Sequence, residues 1–257
     1  MVPADRSRGA HSDSLRGNWA TCRLLTLIRH LNETMTSLLF YGDPHGEWRP
    51  LRETLRTESP DAVILLGDCD LHRPLSDELG DTLPSPDRLF FILGNHEADR
   101  QCFYDHLISA APATNHLNAK VVDIAGVRIA GLSGTFDQHI WHPDLNEGEP
   151  FFRTREDALW NLHAKGRRSG LKLPLRYKVA VWYEDYETLF AESCDVLVLH
   201  DAPPPHRYGH AAFADLAEAM GARLIVHGHH HERYEDVTSS GIQVIGLGKA
   251  DPKPIRF

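Results

Sequence analysis

Four things are scarce in this chain, and each scarcity excludes a class of protein. Cysteine is scarce, with only Cys22, Cys69, Cys102 and Cys194. They form no CxxC pair, which excludes a zinc ribbon and a thioredoxin-type redox motif. In a chain of 257 residues with no recognisable secretory signal they read as reduced, mostly buried thiols, so the expected location is cytoplasmic. Long apolar runs are lacking. No stretch approaches the roughly 18 residues that span a bilayer, so an integral membrane protein is not expected. Basic charge is outweighed, with 27 Lys+Arg against 36 Asp+Glu and a net charge of −9. That balance argues against a general nucleic-acid binder, which carries a basic excess. Repeats and low-complexity stretches are missing too, and 42% hydrophobic with 25% charged residues excludes disorder and collagen-like chains.

Histidine, in contrast, is plentiful, with 17 residues. Residues 1–34 stand apart, carrying five Arg and three acids in an otherwise acidic chain. Their longest apolar stretch, Leu24 to Ile28, lies between Arg23 and Arg29 and is too short for a signal-peptide core. Residues 1–34 are expected to be a dispensable extension, followed by one domain over 35–257 with an irregular insert at about 133–182.

Five nearly continuous apolar runs, at 37–41, 62–66, 89–93, 196–199 and 223–226, read as strands buried on both faces. Helix-period segments at 47–57, 98–109 and 211–220 lie between them. This alternation predicts an α/β sheet. Hairpins are expected at 120–131, across Ala125-Gly126, and at 233–247, so a second sheet follows.

Polar residues cluster where each buried run stops. The five ends read Asp43-Pro44-His45, Gly67-Asp68, Gly94-Asn95-His96-Glu97, His200 and Gly228-His229-His230-His231. In α/β sheets the carboxyl ends of strands form the ligand crevice. Imidazole and carboxylate together suit first-row divalent metals better than calcium.

The series DxH, GD, GNH[DE], a lone His and GHxH, in that order, resembles the calcineurin-like metallophosphoesterase family. The resemblance runs from Asp43 to His231 and implies two mixed sheets packed as a sandwich flanked by helices. It implies two divalent ions, of Mn, Fe, Zn, Ni or Co. One would be held by Asp43, His45, Asp68 and His231, the other by Asp68, Asn95, His200 and His229, with Asp68 shared. It further implies hydrolysis of a phosphomonoester or phosphodiester by a metal-bridging hydroxide. His96 would donate a proton to the leaving oxygen or stabilise the transition state, and a phosphorylated small molecule or nucleotide would be the substrate. Some members of the family keep the fold as non-catalytic scaffolds that bind protein partners. That alternative fits less well because the ligand set and His96 are all retained.

Several departures narrow the reading. Gly67-Asp68-Cys69-Asp70 continues as Leu71-His72-Arg73, which departs from the GDxVDRG of the Ser/Thr protein phosphatase branch. His96-Glu97 and His231-Glu232 lack the second His of HExxH, so a zinc protease is excluded. His227 and His230 flank the ligand positions and, by strand alternation, point elsewhere. Asp70 and Asp99 are the two candidates to orient His96. Finally, residues 151–178 hold eight basic and two acidic residues, interleaved with Phe151, Phe152, Trp160 and Tyr177. They read either as a solvated surface or as a rim that attracts an anionic phosphoester.

Overall fold

The computed structural model describes residues 35–164 and 172–257, and one compact unit spans Thr36–Phe257. The expected dispensability of 1–34 lies outside the described residues, as do Lys165, Arg167 and Arg168 of the basic segment. The strands are β1 (Ser37–Gly42), β2 (Ala62–Leu65), β3 (Leu89–Phe91), β4 (Lys120–Ile124) and β5 (Val127–Leu132). They continue with β6 (Val196–Leu199), β7 (Leu224–His227), β8 (Tyr234–Val237), β9 (Gln243–Gly246) and β10 (Asp251–Arg256). The helices are α1 (Arg49–Thr57), α2 (Leu75–Leu79), α3 (Gln101–Ile108), α4 (Arg155–Ala164), α5 (Leu175–Lys178), α6 (Tyr183–Phe190) and α7 (Ala211–Ala219).

Two mixed sheets result, with orders β10-β1-β2-β3 and β4-β5-β6-β7-β9-β8. Within them β1, β2 and β3 run parallel, and so do β5, β6, β7 and β9. Parallel strands put all their carboxyl ends on one edge, and the polar residues that follow the apolar runs meet there.

The apolar runs are continuous because both faces of each sheet are covered. In β1, Leu38 and Phe40 face the second sheet, with Ile129, Val196, Val198 and Val226 opposite. Leu39 and Tyr41 face the other way, onto Trp48, Leu51 and Leu107 of the helical layer. The second sheet repeats the pattern. Leu197, Leu199 and Ile225 turn outward onto Trp182, Leu189, Phe213 and Leu216. Each such side chain contributes roughly 1.5–3 kcal/mol on burial, so the strand ends project from a firm double-sided core.

Three sequence expectations need correction. The helix expected over 98–109 is a 3-10 turn at His96–Ala98 followed by α3, because Arg100 is extended (φ −143°) and interrupts it. Strand β10 was missed because Pro252 and Pro254 lack the N–H a central strand needs. They are tolerated on this edge, opposite Tyr41 and Leu39 of β1, since residues two apart present their nitrogens in the same direction. The insert is also less irregular and less open than its composition suggests. Ile140, Trp141, Phe152, Tyr177 and Trp182 are buried in the outer core, whereas Phe151 and Trp160 are exposed. Arg155 is held by Glu184 (2.7 Å) and Asp185 (2.5 Å), and Arg153 pairs with Glu149 at 3.2 Å. Arg155 therefore ties the insert to α6, and Arg153 makes a surface ion pair.

No described helix is long and apolar enough to cross a membrane.

Candidate functional site

The carboxyl ends of β1, β2, β3, β6 and β7 converge. Asp43 and His45 follow β1, Asp68 follows β2, Asn95 and His96 follow β3, His200 follows β6, and His229 and His231 follow β7. The backbone there is unusual. Asp43, His45, Asp68, Asp70, His229 and His231 all have positive φ, between 39° and 71°. Non-glycine residues adopt this region at a cost and cluster in it where a site is pre-shaped.

The loops are also packed too closely for side chains. A Cβ on Gly94 would lie 2.2 Å from Asp68 Oδ1 and 2.5 Å from His200 Cε1, and one on Gly228 would lie 2.5 Å from Asp43 Oδ2. Glycine at these two positions lets the polar groups come together.

Asp68 sits at the centre. Its Oδ1 accepts the His96 backbone N–H at 2.8 Å. Its Oδ2 has His200 Nε2 at 3.3 Å, His45 Nε2 at 3.8 Å and His96 Nε2 at 4.0 Å. Around this oxygen the second partners fix the imidazole tautomers. His200 donates from Nδ1 to the Leu66 carbonyl at 2.7 Å, and His45 donates from Nδ1 to Asp70 Oδ2 at 2.9 Å. Each leaves its Nε2 directed inward. His45 Nε2 then stands 2.9 Å from His231 Nε2, and His200 Nε2 stands 3.1 Å from Asn95 Oδ1.

Atoms of ligand type thus face one another across short gaps, an arrangement that suits cations between them. His229 Nδ1 is buried and has no hydrogen-bond partner. The donor set, imidazole with carboxylate and one amide oxygen, fits first-row divalent ions. The electrostatics agree. Burial opposes charge on His200, yet Asp68 and Asp43 draw its pKa upward, so the pocket favours positive charge. Burial and the neighbouring His200 lower His229 to about 4, which keeps it in the neutral, ligating form. Asp43 is fully buried and receives the His229 N–H on both oxygens, at 3.0 and 2.9 Å.

His96 differs from the others. Its side chain is 40% exposed, and its Nδ1 lies 2.9 Å from Asp99 Oδ2. Asp70 is 4.0 Å from it and serves His45 instead. Of the two candidates from sequence, the structure puts Asp99 in contact with His96. His227 and His230 stay off the centre. His227 is buried and bonds Tyr234 through Nε2 at 2.7 Å, while His230 stacks on His206 with centroids 4.1 Å apart.

Sequence reasoning gave Glu97 no role beyond the motif that contains it. It is fully buried. Its Oε1 accepts the Cys69 N–H at 2.7 Å, and its Oε2 accepts those of Asp68 at 3.0 Å and Gly94 at 2.6 Å. Burial and the Asp68 charge push its pKa up to about 7, against the opposing pull of the Cys69 and Gly94 N–H groups. One buried carboxyl group thus pins the loops carrying Asp68 and Asn95. Glu97→Gln turns an acceptor into a donor against those N–H groups. The change is expected to cost about 2–3 kcal/mol of stability, read from denaturant unfolding, and to weaken divalent-ion retention. Unchanged unfolding and metal content would remove Glu97 from this role.

Comparison with known proteins accords with the geometry. A family model described as calcineurin-like phosphoesterase matches residues 36–233. An uncharacterized protein of Haemophilus influenzae is 36% identical over 211 residues, 82% of this chain and 90% of the relative. Among solved structures, a Thermus thermophilus protein aligns at 14% identity with a TM-score of 0.49, covering 84% of this chain and 90% of that one. The phosphopantetheinyl hydrolase of Mycobacterium tuberculosis aligns at 15% identity with a TM-score of 0.46, covering 84% and 91%.

Proposed function

This chain belongs to the calcineurin-like phosphoesterase family, and from that premise we propose that it hydrolyses a phosphomonoester or phosphodiester at the convergent strand ends. Asp43, His45, Asp68 and His231 would hold one divalent ion, and Asp68, Asn95, His200 and His229 a second. Bound there, the pair supplies an acidified water and neutralises the phosphate's charge.

The chain's own groups do the rest. Asp70 and the Leu66 carbonyl orient His45 and His200 so that their Nε2 atoms face inward. His96, 40% exposed and paired with Asp99, would pass a proton to the leaving oxygen. Glu97 keeps the Asp68 and Gly94 loops in register. The observation that carries this reading is the ring of three imidazole nitrogens around Asp68 Oδ2. A phosphorylated small molecule or nucleotide is the substrate class that suits it.

The test is a panel of phosphomonoesters and phosphodiesters assayed with Mn, Fe, Zn, Ni and Co in turn. At least one substrate is expected to turn over with a bound divalent metal. A chelator should abolish that turnover, and the metal should restore it. No activity across the panel together with no metal retained would defeat the proposal.

A further inference from the structure

Beside the central site, three ligand-type side chains from two distant segments meet. His142 and Asp144 come from the insert after β5, and His210 immediately precedes α7. One ligand atom from each lies within 4.8 Å of the other two. His210 Nδ1 is 2.8 Å from Asp144 Oδ2, and its Nε2 is 3.7 Å from Asp201 Oδ2. The His142 and His210 rings meet edge-on with centroids 5.1 Å apart. Phe136 packs against both, at 5.8 and 4.9 Å, and restricts their rotation. The long contact from the Asp144 N–H to His142 Nδ1, at 3.3 Å, engages His142 only weakly.

A simple ion pair accounts for His210 and Asp144 but leaves His142 unexplained. Burial and the neighbouring His210 lower the His142 pKa, which favours the neutral, ligating ring. Two imidazoles and a carboxylate whose ligand atoms lie within 4.8 Å of one another are the donor types of a mononuclear zinc-type site.

We propose that His142, Asp144 and His210 bind one further divalent ion of the zinc class, separate from the central site, and that it clamps the insert to the start of α7. On binding, the ion would take the place of the proton between His210 Nδ1 and Asp144 Oδ2, and the neutral ring would carry its proton on Nε2, which faces Asp201. Because Asp201 follows His200 and faces His210, the clamp fixes the insert next to the central pocket.

The test compares zinc content of the wild-type protein and His142→Ala/His210→Ala after loading and desalting. The double variant is expected to hold one equivalent less. Equal content in the two would overturn the proposal. His142→Gln, a gentler change at a partly exposed residue, is measured alongside it. That variant is expected to show the same deficit, with an unchanged circular dichroism spectrum. Cobalt absorption in Asp68→Asn keeps the two sites distinguishable. A band that persists there and disappears on adding His142→Gln belongs to the clamp, whatever happens at the central site. A band indifferent to His142→Gln counts against it.

Discussion

Asp68→Asn is expected to lower phosphoester turnover by roughly 10³-fold or more and to strip the central site of at least one of the two ions proposed for it. Asp68 Oδ2 is the atom that His200, His45 and His96 all face, so its charge is common to both halves of the site. Asparagine is nearly isosteric and still offers an oxygen, but it brings no negative charge. Burial opposes ionisation of Asp68, yet His200 holds its pKa well below the usual carboxylate range. The native site is therefore built around a permanent anion. Its loss leaves His200, His45 and His231 close together with less to hold a cation between them. Metal analysis and steady-state kinetics on the same preparation check the expectation. Full metal content with turnover within a factor of about ten of wild type would show that Asp68 is not shared between two ions.

His96→Ala has a different signature. Turnover is expected to fall by roughly 10²–10⁴-fold while the metal content stays that of the unaltered protein. The His96 ring pairs with Asp99 and stands edge-on to His45, with centroids 4.8 Å apart, while its backbone N–H hydrogen-bonds Asp68. Alanine keeps that N–H, so the Asp68 loop should hold its place. The effect should be larger for substrates with poor leaving groups, because a strongly basic leaving oxygen needs the proton most. A drop in metal content would make His96 a ligand instead of a proton donor. Unchanged turnover would remove it from the chemistry. A protein using this fold only to bind a partner would have no turnover to lose, so the same variant bears on the scaffold alternative.

Much of this was legible before any coordinates. The strand ends could be read because parallel strands buried on both faces leave unbroken apolar runs, and Asp43, Asp68, Asn95 and His200 mark where those runs stop. The hairpin at Ala125-Gly126 and the one before β9 could be read because turn chemistry is local. Strand β10 could not, since Pro252 and Pro254 argue against a strand unless its edge position is known. Nor could the partners of Arg155 in the basic segment be read. Composition cannot tell that Arg155 is spent on Glu184 and Asp185.

The sequence by itself determined which donors this protein has, their order, and that each follows a buried strand. Those are properties of short windows, where apolar periodicity and turn residues act locally. Tertiary structure decided the pairings. It brought His45 to His231, 186 positions away. It gave His96 to Asp99 and His45 to Asp70. It placed the Glu97 carboxylate under two loops and gathered His142, Asp144 and His210 into one cluster. The physical reason is that a hydrogen bond or a metal ligand set is specified within tenths of an ångström. Only the packing of the two sheets and their covering helices fixes distances between remote residues that finely.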